Sequence, residues 1–517
     1  PSTDFSVAEN RIVMKKALEK MRGEFNKRYP LRIDDKDIWT EREIISLNPS
    51  RRSEVVGRVS SASRAEADEA LRVATNAWNF WKKVRPDVRA SYLFRAAQVM
   101  REIRFELAAV EVYEVGKTWR DADSDITEAI DCLEYYGREM IRLGSPRRLG
   151  DYPGEENEYR YEPRGVGVVI SPWNFPLAIP TGMVSASIVT GNCVIFKPSG
   201  LSPVTGSKLS EIFMLAGLPA GVLQFLPGSG EEIGDFLVSD PRTDFIAFTG
   251  SSDVGLGIIQ HASKISHGQK NVKKVIAEMG GKNAIIVDET ADLDEAVIGV
   301  LESSLGYQGQ KCSACSRVVV AAEIHDELCE RLKGAMGSIQ IGPSELPSTF
   351  MGPVIDERAF KKIQGYIELG KKEGRAILER KADGEGYFVG PVLLVHVSPD
   401  STVAQEEIFG PVLVVMRSKN IDQALEVANN TRYALTGGLF SRSPANIRKV
   451  KSEFRVGNLY INRRITGALV GRQPFGGFGM SGVGSKAGGP DYLLQFLNPR
   501  SISENTVRKG FAPLDQT

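Results

Sequence analysis

The sequence predicts an α/β protein built around two largely parallel sheets, and three observations lead to this fold class. At 517 residues the chain is longer than one typical domain, so two or three domains are expected. Short apolar runs alternate with segments of helical length from residue 166 onward, and the same alternation starts again at residue 284. Such alternation is typical of doubly wound sheets with right-handed crossovers.

Helices are predicted for the segment that precedes the first alternating series. Residues 64–81 carry Ala, Val and Trp at helical spacing, and residues 92–145 are rich in Ala, Glu, Arg and Leu. The first series then predicts strands at 166–170, 193–196, 222–226, 245–248 and 275–277. The helices expected between them lie at 203–216, 231–239 and 253–263.

The second series has the same design. Its strands are predicted at 284–287, 317–320, 412–416, 438–440 and 459–461, and its helices at 293–304, 325–338, 356–374 and 421–430. A charged segment, 151–161, interrupts the first half without a periodic apolar pattern and is predicted to project as a ribbon or flap. A cleft between two α/β units is the natural place for a functional site.

Composition excludes several classes of function. The chain has 65 Lys and Arg against 65 Asp and Glu, so its charge favours neither nucleic acid nor an anionic membrane. No stretch approaches the ~20 apolar residues of a membrane helix, and the first ten residues carry acids rather than an apolar signal core. Five sparse cysteines indicate reduced thiols in an intracellular protein. We therefore expect a cytoplasmic protein, bacterial in preference to one of the mitochondrial matrix.

Three segments carry side chains suited to catalysis. Cys312 follows the glycine-bearing stretch 306–311, Glu278 precedes two glycines, and Asn174 lies in a turn between prolines. A cysteine nucleophile, a carboxylate base and an amide donor are the groups needed to oxidise an aldehyde through a thioester. Lys311 is expected to lower the pKa of the Cys312 thiol. Each residue also has a purely structural interpretation, as an inert buried thiol, a solvated strand end or a turn asparagine.

Cys312 and Cys315 also form a C-x-x-C pair, which occurs in redox and zinc sites. No second cysteine pair accompanies it, so no metal is expected. Two glycine turns, 228–234 and 248–255, each connect a predicted strand to a predicted helix. Either turn alone could be structural, but two in succession favour a cofactor that carries phosphate.

These motifs together identify the chain as similar to the aldehyde dehydrogenase superfamily over essentially its whole length. The matching motifs are Pro172-Trp-Asn-Phe-Pro, Lys197-Pro-Ser, Phe248-Thr-Gly-Ser, Glu278-Met-Gly-Gly-Lys, Gly309-Gln-Lys-Cys and Glu406-Glu-Ile-Phe-Gly-Pro. The resemblance implies a Rossmann-type NAD-binding domain (1–150 and 165–282) and an α/β catalytic domain (283–480). It also implies a small β flap and tail (151–164 and 490–517) that pair across subunits of a homo-oligomer.

The resemblance also assigns roles to residues. Cys312 would be the nucleophile, Asn174 and the Cys312 amide the oxyanion hole, and Glu278 the base for thioester hydrolysis. The residues implied for the cofactor are Lys197, Gly230, Gly234, Gly250, Ser251, Glu407 and Phe409. Many NAD-preferring members have a glutamate where this chain has Gly200, so NAD is expected first, with NADP use less strongly excluded.

Within the superfamily, the chain looks most like the branch that oxidises L-glutamate γ-semialdehyde, the open form of 1-pyrroline-5-carboxylate, to L-glutamate in proline breakdown. That likeness implies a set of substrate-binding residues: Ser313, Gly467 and Ala468 for the α-carboxylate, Phe175 and Phe475 for the aliphatic part, Glu134 for the ammonium group, and Lys311. Residues 467–468 could instead form only a tight loop. The alternatives are another aldehyde, such as succinate semialdehyde or betaine aldehyde, and a non-catalytic scaffold. Some relatives are fused to a proline dehydrogenase, so such a partner or fused domain is a further expectation.

Overall fold

The computed structural model describes residues 2–507, and its two large sheets confirm the predicted α/β class. The first half contains nine α-helices within the described residues: α1 (Ala8–Gly23), α2 (Arg64–Trp81), α3 (Pro86–Glu102), α4 (Arg104–Val115), α5 (Trp119–Leu143), α6 (Ala178–Val189), α7 (Pro203–Leu215), α8 (Asp235–Ser239) and α9 (Ser252–Ala262). Its strands are β1 (Lys27–Tyr29), β2 (Leu31–Ile33), β3 (Lys36–Ile38), β4 (Glu43–Asn48), β5 (Arg51–Ser60), β6 (Arg147–Arg148), β7 (Glu155–Pro163), β8 (Val166–Ile170), β9 (Cys193–Lys197), β10 (Leu223–Phe225), β11 (Phe245–Thr249) and β12 (Lys274–Glu278).

The second half continues the alternation of strands and helices. Its helices are α10 (Leu293–Leu305), α11 (His325–Ser338), α12 (Glu357–Glu373), α13 (Thr402–Gln405), α14 (Ile421–Asn429) and α15 (Pro444–Glu453). Its strands are β13 (Asn283–Val287), β14 (Cys315–Ala321), β15 (Arg375–Glu379), β16 (Val392–Val395), β17 (Val412–Ser418), β18 (Tyr433–Ala434), β19 (Thr436–Phe440), β20 (Asn458–Ile461), β21 (Phe478–Gly479), β22 (Gly482–Val483) and β23 (Leu497–Asn505).

The first large sheet has the strand order β22-β12-β11-β8-β9-β10-β2-β3. Its five central strands, β12 to β10, are parallel, as the sequence predicts, and most of their side chains are buried. Burial on both faces explains why these strands are continuous apolar runs rather than alternating patterns. Parallel strands end at one edge of a sheet, so the residues that follow them are gathered there.

The second large sheet has the order β15-β16-β17-β14-β13-β19-β20. All its neighbouring strands are parallel except β15, which pairs antiparallel with β16. Separate apolar clusters cover its two faces, one including α12 and α14 and the other α10 and α11. Strands β15 and β16 are additions to the predicted set, and so are the helix and strands before residue 64.

The predicted ribbon is part of a small three-stranded sheet. Strand β7 pairs antiparallel with β23 along its whole length, from Glu155 opposite Asn505 to Pro163 opposite Leu497. Strand β6 pairs with the other edge of β7. The last part of the predicted tail, 508–517, lies outside the described residues. Within residues 2–507, no helix is both long and apolar enough to cross a lipid bilayer.

Candidate active site

The edge where the first sheet's parallel strands end gathers four of the predicted residues. Asn174 follows β8, Lys197 ends β9, Gly250 follows β11 and Glu278 ends β12. Neighbouring strand ends are tied together by backbone bonds, from the Ser171 amide to the Lys197 carbonyl (3.3 Å) and from the Gly250 amide to the Glu278 carbonyl (3.1 Å). The sheet topology therefore places these side chains along a single edge.

The loop that carries Cys312 is held in an unusual backbone conformation. Tyr307 and Gln308 adopt positive φ values of 51° and 57° in a short 3₁₀ turn, a conformation that costs energy for residues other than glycine. Both side chains are fully buried and bonded: the Tyr307 hydroxyl donates to the Val115 carbonyl (2.7 Å) and the Gln308 amide to the Pro353 carbonyl (2.7 Å). These bonds oppose relaxation of the turn and so fix where Cys312 lies.

Asn283, at the start of β13, holds the same loop from below. Its side-chain amide donates to the backbone carbonyls of Cys312 (2.7 Å) and Ala314 (2.9 Å). Gly281 allows this close approach, because a Cβ there would lie 2.6 Å from the Cys312 carbonyl oxygen. The two glycines after Glu278 therefore admit parts of the second half of the chain: Gly281 admits the cysteine loop and Gly280 the Glu407 carboxylate.

Asn174 and Cys312 are brought together. The buried Asn174 side-chain amide donates to the Gln310 carbonyl (3.1 Å), which leaves its second N–H free. The backbone amides of Cys312 and Ser313 face the Cys312 thiol and stabilise its anionic form. Amide donors converging beside a partly buried thiol form the kind of site that stabilises a tetrahedral oxyanion.

The prediction that Lys311 lowers the pKa of the Cys312 thiol is wrong. Burial, followed by the Glu407 and Glu278 carboxylates, raises the pKa of Cys312 to about 12. The Lys311 ammonium pairs instead with Asp121 (3.0 Å). Its charge is compensated there, so the local donors that favour the thiolate are backbone amides.

Glu278 has the environment of a base that is poised near neutral pH. Burial raises the pKa of this carboxyl to about 8, against the opposing effects of the Gly477 amide and Lys486. Its Oε2 atom is buried and has no hydrogen-bond partner among residues 2–507. A carboxylate of this kind can accept a proton from a water molecule at moderately alkaline pH.

A cleft of about 370 Å³ adjoins Asn174 and Cys312. Its lining also contains four residues predicted for the cofactor, namely Gly250, Ser251, Glu407 and Phe409. The Phe409 ring packs edge-on against Trp173, with ring centroids 5.7 Å apart, and its φ of 61° marks another constrained backbone position. Gly230 and Gly234 are not part of this lining, and a Cβ at either one would meet nothing within 4 Å.

The polar groups near this cleft fit a dinucleotide. Burial lowers the pKa of Lys197 to about 8, and its ammonium has no hydrogen-bond or ion-pair partner within residues 2–507. Ser251 precedes helix α9 without capping it, and the neighbouring Ser252 hydroxyl is buried and unpartnered. A helix N-terminus with free donors suits a pyrophosphate, and a buried free ammonium suits a ribose hydroxyl.

The predicted substrate residues outside α5 come from three segments of the chain: the cysteine loop, the turn after β8 and the loops after β20. The Ser313 side chain is 7% exposed, and its hydroxyl has no hydrogen-bond partner within residues 2–507. Phe175 and Phe475 are partly buried, and Phe175 lies under the Lys117 ammonium at 4.5 Å. The loop with Gly467 (φ 74°) and Ala468 starts beside α10, where the Ile465 amide donates to the Ser303 hydroxyl (3.0 Å).

The sequence model of the aldehyde dehydrogenase family matches residues 39–502, which is most of the chain. The chain belongs to the aldehyde dehydrogenase family. A 1-pyrroline-5-carboxylate dehydrogenase from Geobacillus sp. (strain WCH70) is 49% identical over 505 residues, which cover 98% of both chains. The crystal structure of 1-pyrroline-5-carboxylate dehydrogenase from Thermus with bound NAD is 48% identical, with a TM-score of 0.96 and 98% coverage of both chains.

Another similar structure is that of proline utilization A (PutA) from Bdellovibrio bacteriovorus, inactivated by N-propargylglycine. It is 48% identical, with a TM-score of 0.98, and the match covers 100% of this chain. The chain spans 54% of that protein's length. The α/β aldehyde dehydrogenase fold is thus shared with nearly the whole of the Thermus protein and with about half of the longer PutA chain.

Glu134 does not fit the ammonium-binding role that was predicted for it in this family member. Its carboxylate pairs with Arg101 (2.6 Å) and Arg138 (2.5 Å) at the surface of α5. The physical reason is the 100° turn per helical residue, which points position 134 away from the face that carries Asp121 and Asp125.

Glu128, also in α5, lies on the helix face that carries Asp121 and Asp125. Burial raises the pKa of Glu128 to about 8, and it interacts electrostatically with Asp125, Lys117 and Lys311. It makes no hydrogen bond or ion pair within residues 2–507, in contrast to Glu134. Residues 121, 125, 128 and 132 are spaced along one helix face, and this spacing is the sequence signal that could have identified Glu128 in place of Glu134.

A buried ionic cluster behind Phe175 was also missed by sequence reasoning. Lys117 pairs with Asp125 (3.0 Å) and Glu111 (3.2 Å), and all three side chains are almost completely buried. Asp125 also accepts the Leu177 and Ala178 amides at the start of α6 (both 3.2 Å). The cluster therefore anchors the C-terminal end of the segment that presents Asn174 and Phe175, and Lys117 also contacts the Phe175 ring. Within the described residues, no group of three or more His, Cys, Asp or Glu side chains is placed to hold a metal ion.

Proposed function

We propose that the chain catalyses the NAD-dependent oxidation of L-glutamate γ-semialdehyde, formed from 1-pyrroline-5-carboxylate, to L-glutamate in proline degradation. The observation that carries this choice of substrate is Ser313, a nearly buried, unpartnered hydroxyl directly after the nucleophile. A hydroxyl in that position can donate to a carboxylate on an aldehyde whose carbon is within reach of Cys312. Relatives named 1-pyrroline-5-carboxylate dehydrogenase, at 46–49% identity over 505 residues, support the same substrate.

The first chemical step is attack by the Cys312 thiolate on the aldehyde carbon, which gives a thiohemiacetal. The free N–H of Asn174 and the Cys312 backbone amide stabilise the alkoxide. Loss of hydride from that carbon leaves a thioester on Cys312. When bound, NAD supplies the acceptor for this hydride.

Lys197 and Glu407 would hold the ribose beside the nicotinamide, and Phe409 would pack against the nicotinamide ring. Gly250 and Ser251, at the start of α9, would receive the pyrophosphate. NAD is the preferred cofactor in this proposal. Gly200 places no carboxylate against a 2′-phosphate, and a Cβ there would meet nothing within 4 Å, so NADP has room in the same site.

Glu278 completes the reaction as the base for hydrolysis. Its carboxylate removes a proton from water, which attacks the thioester carbon and releases the acid, and Cys312 regains its thiol. While the Glu278 carboxyl is protonated, it cannot accept a proton from water. The raised pKa of Glu278, about 8, therefore makes the hydrolytic step depend on pH.

We assign the two charged groups on the α-carbon of the substrate to two separate sets of residues. Ser313 with the Gly467 and Ala468 amides takes the α-carboxylate, and Glu128 takes the ammonium group in place of Glu134. Phe175 and Phe475 flank the aliphatic carbons that join the α-carbon to the aldehyde group. A free amino acid semialdehyde carries both charges, whereas betaine aldehyde has no carboxylate and succinate semialdehyde has no ammonium group.

The proposal extends to the domains, the oligomeric state, the location and the partner of the protein. We propose a discontinuous NAD-binding domain (1–150 and 165–282), a catalytic domain (283–480), and a flap with its tail (151–164 and 490–517) that pairs subunits of a homo-oligomer. The exposed edges of the sheet that contains β7 and β23 support that pairing. Bacterial relatives support a bacterial cytoplasm, and PutA supports a proline dehydrogenase as partner or fused domain.

The experiment that tests the function is NADH formation with 1-pyrroline-5-carboxylate, with L-glutamate measured as product. The Cys312→Ala variant is the control for the nucleophile, and Cys315→Ala is its matched cysteine control. Activity in the wild type and in Cys315→Ala, lost in Cys312→Ala, supports the proposal. NADH formed only with other aldehydes would refute the choice of substrate, and the rates with NAD and NADP measure cofactor preference.

A further inference from the structure

Lys486 lies in the glycine-rich segment after β22 and directs its ammonium into the protein. Nζ donates to the carbonyls of Gly457 (2.7 Å) and Gly476 (2.6 Å) and to the Asn458 side-chain oxygen (3.0 Å). An ammonium has three N–H donors, so these bonds use all of them. Within residues 2–507, no carboxylate lies within ion-pair distance of this ammonium, and its three hydrogen-bond acceptors are all carbonyl oxygens.

The peptide that joins Gly476 to Gly477 lies between Lys486 and Glu278. Its carbonyl oxygen accepts from Lys486, and its N–H faces the Glu278 carboxylate. The approach is close enough that a Cβ on Gly476 would lie 2.8 Å from Glu278 Oε1. A charged donor on the carbonyl end of a peptide strengthens the donor at its other end, because hydrogen bonds in a chain polarise one another.

We propose that Lys486 is a positioning residue for the hydrolytic base: through the Gly476–Gly477 peptide it holds Glu278 in place and favours its ionised form. The inference rests on the proposed function, in which Glu278 activates water. Lys486 does not touch the reacting atoms. Its effect falls on the hydrolysis of the thioester, whereas hydride transfer from the thiohemiacetal does not use Glu278.

The charges around Glu278 support a role for Lys486 in favouring the ionised carboxylate. Cys312 from the cysteine loop and Tyr492 from the 3₁₀ turn 492–496 both interact with Glu278, and each becomes negative when it ionises. Lys486 is the cation that lowers the pKa of this carboxyl, and Glu278 in turn raises the pKa of Lys486 against the effect of burial. Removal of the ammonium is therefore expected to raise the pKa of Glu278 and shift the pH range of hydrolysis upward.

Lys486 also lies beside the paired backbones of Phe475 and Ala487, and the test must distinguish an effect on this pair from an effect on Glu278. Phe475 and Ala487, each adjacent to a member of this network, exchange two backbone hydrogen bonds (2.8 and 2.7 Å). Loss of Lys486 could loosen the Phe475 wall and weaken substrate binding. That effect would change KM and the rate at which the first NADH forms. An effect through Glu278 instead changes the hydrolysis of the thioester, which follows NADH formation.

The test compares Lys486→Met and Lys486→Arg with wild type by rapid mixing. The ratio of the first-turnover rate of NADH formation to the steady-state rate is measured across pH. Lys486→Met is expected to raise this ratio roughly tenfold near neutral pH and to move the alkaline-rising limb up by about one pH unit. Lys486→Arg keeps the charge and is expected to retain most of the wild-type profile.

The control is Lys273→Met, because Lys273 is a buried lysine that also donates to a backbone carbonyl, that of Val238 (2.6 Å), but directly precedes β12, at the opposite end of that strand from Glu278. It is expected to leave the ratio unchanged. In a Glu278→Gln background, Lys486→Met should add no further loss of hydrolysis, because both changes act on one step. An unchanged ratio in Lys486→Met, an equal fall of both rates, or additive losses in the double variant would overturn the inference.

The measurement uses whichever aldehyde the wild type oxidises, 1-pyrroline-5-carboxylate or propanal. A wild type that oxidises only propanal refutes the proposed substrate and still tests Lys486. A wild type that oxidises 1-pyrroline-5-carboxylate with an unaltered Lys486→Met profile refutes only the role of Lys486. The two failures are therefore distinct.

Discussion

The side-chain nitrogen of Asn174 lies 3.1 Å from the backbone carbonyl oxygen of Gln310, two residues before Cys312. This bond joins the loop after β8 of the first sheet to the cysteine loop that precedes β14 of the second. It uses one of the two N–H groups of the side-chain amide, and the other makes no hydrogen bond within residues 2–507. One hydrogen bond thus connects the loops of the two sheets two residues before Cys312.

Asn174→Ala is expected to lower kcat by about 10²–10³, because it removes an oxyanion donor. It also removes the bond to Gln310, so the rate of thiol alkylation at Cys312 should change as well. Steady-state kinetics and iodoacetamide labelling measure the two effects. Asn10→Ala, at a partly exposed asparagine of α1, is the control and should match wild type in kcat. A kcat for Asn174→Ala within a factor of two of that control would remove Asn174 from the oxyanion hole.

The rate of thioester hydrolysis is expected to rise with pH through about 8. Below that pH the Glu278 carboxyl is protonated and cannot accept a proton, and above it the carboxylate is the base. Glu278→Gln should lower the rate by roughly 10²–10⁴ and abolish this limb of the profile. Steady-state kcat measured between pH 6 and about 10 checks both expectations. A limb that persists in Glu278→Gln belongs to another group.

Gly281→Ala is expected to displace the cysteine loop, since its Cβ would lie 2.6 Å from the Cys312 carbonyl oxygen. Overpacking of this kind costs about 1–3 kcal/mol, and activity should fall more steeply than stability because Cys312 is the group displaced. Gly257→Ala in helix α9 is the matched control. A Cβ there meets nothing within 4 Å, so the variant should be active and stabilised by roughly 0.5–1 kcal/mol. Thermal unfolding and kcat of both variants decide the comparison.

Glu128 and Glu134 give a matched pair of substitutions on one helix. Glu128→Gln is expected to raise KM for 1-pyrroline-5-carboxylate by roughly 10- to 100-fold, the effect of losing a charge-assisted contact worth about 1.5–3 kcal/mol. KM for propanal, which has no ammonium group, should stay the same. Glu134→Gln should leave both KM values unchanged, since its carboxylate pairs with Arg101 and Arg138. If Glu134→Gln had the larger effect, the assignment of the ammonium site would be reversed.

Strands and helices of the two alternating series could be predicted closely from the sequence. The expected strand at 166–170 is β8, and the expected helix at 325–338 is α11, with the same bounds. Continuous apolar runs between glycine turns are a strong signal when a strand is buried on both faces. Strand β15 was missed because its residues are only partly buried and their pattern is mixed.

Within the site, the sequence predicts the residue types but not the environment of each residue. Motifs identify Cys312, Glu278 and Asn174 by residue type, but contacts between distant segments set their environment. The bonds from Asn283 to the cysteine loop and from Lys486 to Gly476 join residues 29 and 10 positions apart. Lys311 illustrates the limit: adjacency in sequence predicted an effect on Cys312, whereas the side chain turns to Asp121.

The most direct test of the proposed substrate is KM for 1-pyrroline-5-carboxylate and for propanal in wild type and in Ser313→Ala, followed by NADH formation. The account predicts that wild type oxidises 1-pyrroline-5-carboxylate efficiently. It also predicts that Ser313→Ala raises KM for this substrate roughly tenfold, the loss of one hydrogen bond to a carboxylate, with little change for propanal. A wild type that oxidises propanal but not 1-pyrroline-5-carboxylate, or equal changes for both aldehydes, would contradict it.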